Sequence, residues 1–437
     1  MSKHEKKGLV PERRFPEFKD AGEWKNELFE KIYSFKTTNS LSRDKLNYKQ
    51  GTVKNIHYGD IHTKFSTLFD IEKENVPYIN HSESLEKIKP DSYCVEGDMI
   101  FADASEDMDD IGKCIEIVFL NNEKLVSGLH TLLARQIKKK LVTGFGGYLF
   151  KSNRIREQIK KESQGTKVLG LSGGRLSSIS VVYPADEKEQ QKVSDCLASV
   201  DELITAQSQK LDALKTHKKG LMQQLFPAEG ETVPKRRFPE FRDKGEWEEK
   251  FIRDFGEIIT GSTPSTTKPE YYGGDRLFVS PADVSNQRFI KKTKTTLTDL
   301  GFCETRPVKP ESILFVCIGS TIGKVAQNRH ECATNQQINA VVPNANYSNA
   351  FVYYCLENNS EKISGLAGNH AVPIINKTAF GAVEIRSPKL PEQQRIADCL
   401  SSVDELITAQ TQKLDALKAH KKGLMQLLFP AMDEVKS

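Results

Sequence analysis

The chain carries the same forty-residue segment twice, and this constrains its fold more than any other feature. Residues 189–228 and 392–431 match at 33 of 40 positions, at an offset of 203. A second pair, residues 10–24 and 233–247, matches at 12 of 15 positions, at an offset of 223. Two long segments with little mutual similarity lie between the near-copies. The first is longer by 20 residues, the difference between the two offsets. Such self-similarity means that each half of the chain builds the same unit. One scaffold has been kept twice, and two modules on it have been left free to differ.

Residues 186–226 read as one long helix. Asp186 suits the N-cap, with Glu189 three residues on as in a capping box. The second copy opens on Pro391-Glu392, a good helix start. Phe226-Pro227 and Phe429-Pro430 mark the ends. Apolar side chains fall at Val193, Leu197, Val200, Ile204, Leu211, Leu214, Leu221 and Leu225 in the first copy. In the second they fall at Ile396, Leu400, Val403, Ile407, Leu414, Leu417, Leu424 and Leu428. Gln207 and Lys218, with Gln410 and Lys421, interrupt this heptad seam. One alternative is that each helix packs only on its own domain. The length favours the other, that the helices pair as an antiparallel coiled coil, as pseudo-twofold halves would arrange them. Leu197, Val200, Ile204, Leu211 and Leu214 would then meet Leu400, Val403, Ile407, Leu414 and Leu417. The basic stretches 215–219 and 418–422 have two readings, as phosphate contacts or as cations favoured near helix C-termini.

The divergent segments read as mixed α/β with short strands, giving an α+β chain overall. Met99–Phe101, Cys114–Phe119 and Ile179–Val182 are strand-like in the first half, as are Ile313–Val316, Ile338–Val342 and Val383–Ile385 in the second. Gly97-Asp98-Met99-Ile100-Phe101 followed by Ile111-Gly112-Lys113 resembles Glu311-Ser312-Ile313-Leu314-Phe315 followed by Ile322-Gly323-Lys324. The segments are therefore expected to share a fold whose loops differ.

Several functions find no support. Gly319–Val325 resembles a phosphate loop but lacks its first glycine and the Ser/Thr after lysine; a turn between strands fits better. Leu171-Ser172-Gly173-Gly174-Arg175 imitates a transporter-ATPase signature without Walker motifs, and reads instead as a glycine turn offering N–H groups and an arginine to phosphate. His57-Tyr58-Gly59-Asp60-Ile61-His62 lacks a third metal ligand and reads as a polar loop with donors and acceptors for base edges. No methyltransferase, metalloprotease, hydrolase or paired-carboxylate nuclease motif appears. The eight cysteines are scattered, so no metal site or disulfide framework is indicated. No apolar run approaches the roughly 20 residues needed to span a bilayer. The basic N-terminus lacks the apolar core of a signal peptide, so a cytoplasmic location without membrane contact is expected. A net charge of +4 permits nucleic-acid binding without arguing for it.

Two divergent modules joined by repeated heptad helices resemble the specificity subunit of type I restriction–modification enzymes, across essentially the whole chain. In the second half the matching strings are Gly261-Ser262-Thr263-Pro264, Tyr271-Tyr272-Gly273-Gly274, Gly319–Lys324, Asn335-Gln336-Gln337-Ile338 and Pro388–Ala397. In the first half they are Thr38–Arg43, His57–His62, Asp103–Asp107 and Gly128–Thr131, resembling another subgroup that lacks the Gly-x-Thr-Pro string. The resemblance implies target recognition domains at 1–185, with a basic tail, and 231–388. It implies spacer helices at 186–230 and 389–430. Each domain would read one half of a split, asymmetric site on double-stranded DNA. The helices would set the half-site spacing and dock two modification subunits, and restriction subunits can join.

S-adenosylmethionine and ATP would belong to those partners, leaving this chain without cofactor or catalysis. Asn39, Arg43, Arg175, Asn335, Gln336 and Gln337 are the side chains suited to bidentate base contacts. Lys64, Lys113, Lys324 and the hydroxyls of Ser40, Ser262, Thr263, Ser320 and Thr321 suit the phosphate backbone. His57, Tyr58, His62, His130 and Tyr272 complete the expected DNA-binding set. The competing functions are an unrecognised DNA-modifying enzyme, which would need a cofactor motif, and a coiled-coil scaffold, which would leave the divergent modules unexplained.

Overall fold

The computed structural model describes residues 9–86, 88–285, 287–368 and 372–431. The chain divides into two compact units, Met1–Ala206 with Leu414–Ser437, and Gln207–Lys413. The long helices are Glu187–Leu225 and Leu390–Leu428, 39 residues each. Each helix contributes one half to each unit, so every unit contains a helix pair.

The pairs are antiparallel. In the first unit Lys421 Nζ lies 2.6 and 2.7 Å from the Asp201 carboxylate oxygens. Further along, Leu428 and Phe429 pack with Leu197 and Val193. One helix thus ascends as the other descends. In the second unit Lys218 Nζ lies 3.0 Å from Asp404, and Met222 and Leu225 pack with Ile396 and Leu400. The Gln207 amide donates to the side chain of Gln410 and, at 3.3 Å, to its carbonyl. Leu197, Val200, Leu211, Leu400, Val403 and Leu414 are buried, while Ile204, Leu214, Ile407 and Leu417 are half-buried. The two seam glutamines therefore satisfy one another across it. Lys218 and Lys421 follow neither reading of the basic stretches, because each is held by an aspartate of the other helix. Tyr148 and Tyr354 donate to the same aspartates, at 2.9 and 2.6 Å.

The structure also explains the second repeat. Arg14 places Nε and Nη2 each 2.6 Å from the Glu189 carboxylate, and Trp24 Nε1 donates to it at 3.2 Å. In the second unit Arg237 lies 2.7 and 2.6 Å from Glu392, with Trp247 Nε1 at 3.4 Å. The main chain of each arm also reaches the end of the partner helix, through Arg13 N to Leu427 O and Arg236 N to Gln224 O, both 2.9 Å. Each arm thus ties the start of one long helix to the end of the other. This corrects the capping box. Asp186 does accept from Lys188 N at 2.8 Å, but the Glu189 carboxylate takes a guanidinium and an indole instead of its own helix terminus. Charge-assisted, bidentate bonds outcompete a single neutral N–H.

The modules share one sheet topology. The first five-stranded sheet runs Tyr33–Lys36, Thr131–Gln136, Met99–Ala102, Cys114–Phe119, Leu68–Asp70. The second runs Gly256–Thr260, Ile338–Pro343, Ile313–Val316, Val325–Asn328, Phe289–Ile290. In both, three antiparallel pairings are followed by one parallel pairing at the last strand. The faint correspondence between the segments is thus a shared fold. A smaller sheet accompanies each, four-stranded in the first unit and three-stranded in the second. The extra strand, Leu46–Asn47, accounts for part of the longer first segment.

Candidate nucleic-acid interface

The strand pairing fixes which loops meet. In the first module, pairing of Ala102 with Thr131 brings Asp103 beside Gly128–His130. The segment leaving the first strand joins them, because Asn39 N donates to Ser127 O at 3.0 Å and its amide donates to Asn55 Oδ1 at 2.7 Å. In the second module, pairing of Val316 with Ile338 brings Cys317 beside Asn335–Gln337. Ser262 N donates to Thr334 O at 2.9 Å, the counterpart of the Asn39 bond. Both modules therefore gather the same three loops at the same end of the main sheet.

In the first module the loops surround a cavity of about 600 Å³ lined by Asn39, Ser40, Asp103 and His130 among others. A neighbouring cavity of about 500 Å³ shares Asp103 and His130 and adds Arg175. Beside them the string 57–62 is a helix, Tyr58–Thr63, rather than the polar loop expected. His57 is its N-cap, accepting from Gly59 N at 3.2 Å. Burial, then the neighbouring Arg43, holds the His57 pKa below the usual imidazole value. Asp60, fully buried, takes Arg43 at 2.8 and 3.1 Å and Lys64 at 2.9 Å. The Tyr58 ring lies 4.7, 5.9 and 5.3 Å from the rings of His57, His62 and His130. His62 Nε2 donates to Ala104 O at 3.1 Å, and Lys113 Nζ donates to His62 O at 3.1 Å. All ten side chains expected in this half thus fall in one neighbourhood, but Arg43, His57 and Lys113 spend donors or acceptors on the scaffold.

Residues 171–175 also differ from the expected glycine turn. Ser172 caps a one-turn helix, Gly173–Ser177, and Arg175 Nη1 donates to Glu162 O at 2.9 Å. Segments this short carry too few residues for a helical period to show in sequence.

In the second module Gly261 is required by crowding, since a Cβ there would come within 2.2 Å of Asn335 O. Thr263 Oγ1 donates to Gln336 Oε1 at 2.6 Å, and Tyr272 OH donates to Pro264 O at 2.7 Å. The Asn335 amide donates to Gln337 Oε1 at 2.9 Å, and Gln337 Nε2 lies 3.5 Å from Ile318 O. Gln336 is exposed, with its amide nitrogen uncommitted by these bonds. Ser320 and Thr321 lie on the turn between the third and fourth strands, where Gly319 and Gly323 take φ of 98° and 92°. That is the strand turn expected in place of a phosphate loop. Lys324 Nζ turns back to Val284 O at 3.2 Å.

Sequence reasoning passed over Asp60 and Asn55 as site-builders. Both sit in polar stretches of sequence, so neither their burial nor their partners could be read locally.

Among the described residues no group of three or more His, Cys, Asp or Glu could hold a metal ion, and no helix is long and apolar enough to cross a membrane.

The profile of a family described as "Type I restriction modification DNA specificity domain" matches residues 42–216 and again 244–419. The type I restriction enzyme MjaIX specificity subunit of Methanocaldococcus jannaschii is 30% identical over 179 residues, 40% of this chain and 41% of that protein. The HindI specificity subunit of Haemophilus influenzae is 35% identical over 147 residues, 32% of each chain. The chain thus aligns with less than half the length of these two. A putative MjaX specificity subunit of M. jannaschii is 24% identical over 409 residues, 92% of this chain and 90% of that one. Among solved structures, the type I restriction–modification S subunit from M. genitalium superposes with a TM-score of 0.62 at 12% identity, covering 97% of this chain and all of that one. At that identity the superposition speaks for the fold, while the two profile matches cover most of the sequence. The chain belongs to the type I restriction–modification DNA specificity family and carries its domain twice.

Proposed function

We propose that this chain is the DNA-reading subunit of a type I restriction–modification complex and performs no catalysis. Each module reads one half of a split DNA site through the three loops at its sheet end. The observation that carries this reading is that the same three loops recur on the same sheet and clamp while their side chains differ. Asn39, Ser40, Arg43, Tyr58, His62, His130 and Arg175 serve the first half-site, with Lys64 and Lys113 nearer the phosphates and His57 bracing the cluster. Ser262, Thr263, Tyr272, Asn335, Gln336 and Gln337 serve the second, with Ser320, Thr321 and Lys324 on the backbone side. Modification subunits supply S-adenosylmethionine chemistry, and restriction subunits supply ATP-dependent steps. Leu203 and Leu406, which occupy the same repeat position, are 56% and 51% exposed. This repeated apolar spot suits two identical docking partners.

The test is a module exchange. Residues 250–385 are replaced by another module, and adenine methylation is mapped in cells that also express the modification subunits. One half of the target should change and the other should stay. Methyl transfer by the isolated chain, or a change in both halves, would overturn the reading. A companion test inserts four residues, roughly one turn and 6 Å, into one long helix. The gap between half-sites should lengthen by about one or two base pairs at roughly 3.4 Å each, with both half-sequences unchanged.

A further inference from the structure

His130 has a backbone that glycine would adopt more easily. Its φ is 55°, one of only four positive values at non-glycine residues among those described. Two others, Asn121 and Asn122, are asparagines in a turn, where this conformation costs little. An imidazole held in a sparsely populated conformation points to a role for its side chain.

The surroundings define that role. His130 lines both cavities of the first module, as does Asp103. The two are joined twice. Asp103 N donates to His130 O at 3.1 Å, and His130 Nδ1 lies 3.2 Å from Asp103 Oδ1. Asp103 is anchored from its other side by Leu171 N, which donates to its carbonyl at 2.8 Å. The Tyr58 ring meets His130 edge-on, with 78° between the planes. The imidazole side chain is nevertheless 50% exposed and the Asp103 side chain 28% exposed. A carboxylate only accepts, so Nδ1 must donate to it, and in the neutral ring Nε2 is then left as an acceptor. With the ring neutral, the acceptors this bond leaves over are imidazole Nε2 and the second carboxylate oxygen, both on side chains open to solvent. At the matching register positions the second module has Cys317 and Gln337, so this acceptor pair belongs to the first module alone.

We propose that Asp103 and His130 form a base-reading pair that selects an exocyclic amino group, that of adenine or cytosine, on the strand it faces in the first half-site. This rests on the DNA-reading function above and names one of its specificity determinants. The chemistry follows from the major groove. Adenine N6 and cytosine N4 donate, whereas guanine O6 and N7 and thymine O4 accept and would be repelled.

Three variants test it in the full chain expressed with the modification subunits, with genome-wide mapping of adenine methylation as the readout. His130→Gly suits the left-handed backbone, removes the reader and is expected to fold normally. It should relax one position of the first half-site by about tenfold or more and leave the second half-site intact. Asp103→Asn releases the imidazole from its fixed tautomer and should relax the same position. His130→Arg exchanges an acceptor for donors and should move the preference there towards guanine. The arms at that position distinguish adenine from cytosine as the natural base. Unchanged specificity in both His130→Gly and Asp103→Asn would overturn the proposal, as would a loss spread evenly over all sequences. If the unaltered chain directs no split-site methylation, the function itself fails, which is a different result.

Discussion

The two modules make an internal experiment. They share sheet order, strand directions, the arginine–tryptophan–glutamate tie and the tyrosine–aspartate–lysine contact. They differ where the fold tolerates difference. The first module has a strained histidine–aspartate pair and an arginine on a buried aspartate. The second has a threonine–glutamine contact and an Asn335–Gln337 amide bond. Even the core departs at one place. Glu116, paired with Met99, accepts from Gly144 N at 2.9 Å and Gly147 N at 2.6 Å. The matching position, paired with Ile313, is Gln327, which accepts from Arg288 at 2.8 Å. The contacts retained in both copies fix geometry, while, this core position apart, those named here that vary sit at the loop ends. A protein can change what it reads without rebuilding the frame that presents it.

The strongest way to break the equivalence is to remove its shared tie. Glu189→Ala leaves the Arg14 guanidinium without its buried partner, and Glu392→Ala does the same to Arg237. Each should cost about 3–5 kcal/mol in its own unit, read as loss of amide-exchange protection in that unit. A large cost in one unit and none in the other would show that the arms are not equivalent.

The Glu116/Gln327 difference predicts different pH responses. Burial raises the Glu116 pKa from 4.5 to about 7, against the opposing bonds from Gly147 and Gly144. The folded state therefore holds the proton more tightly than the unfolded chain. That contribution is complete below the ordinary carboxylate value and is lost as pH rises from about 4.5 to about 7. It is on the order of 3 kcal/mol. Glu116→Gln should flatten the pH dependence of amide protection in the first unit within that window. An unchanged slope would remove Glu116 as its source.

Gln336→Ala sharpens the comparison of the reading loops. It should cost about 1–3 kcal/mol of discrimination at one base pair of the second half-site if the amide makes a bidentate contact. Competitive binding with base-substituted duplexes measures this, and an equal loss on all sequences would assign the residue to the backbone.

The smallest expected effect concerns the seam lysines. Lys218 lies 2.9 Å from Glu357 as well as 3.0 Å from Asp404. The only carboxylate bound by Lys421 among the described residues is Asp201. Glu357→Gln should therefore cost about 1 kcal/mol or less in the second unit, visible as a small shift in its denaturation midpoint. No shift would make the two lysine sites energetically equal despite their different partners.

The sequence alone determined the two-unit plan, the helix pairing and most central strands. These rest on periodicities of two, three-and-four and two hundred residues, which are properties of order along the chain. It also placed most of the candidate reading residues on segments that gather at one end of each main sheet, because polar strings between apolar strands have few other places to go. Tertiary structure decided what each polar side chain does. Glu189 looks like a helix cap until an arginine 175 positions earlier reaches it. Lys218 and Lys421 read equally as phosphate contacts or as cations near helix C-termini until the antiparallel partner presents an aspartate. His57 reads as part of a polar loop until a helix too short to show a period starts from it and takes its ring as the N-cap. Hydrogen bonds and ion pairs are short-ranged and directional, so their partners depend on which distant segments the fold brings within about 3 Å, and local sequence does not carry that information.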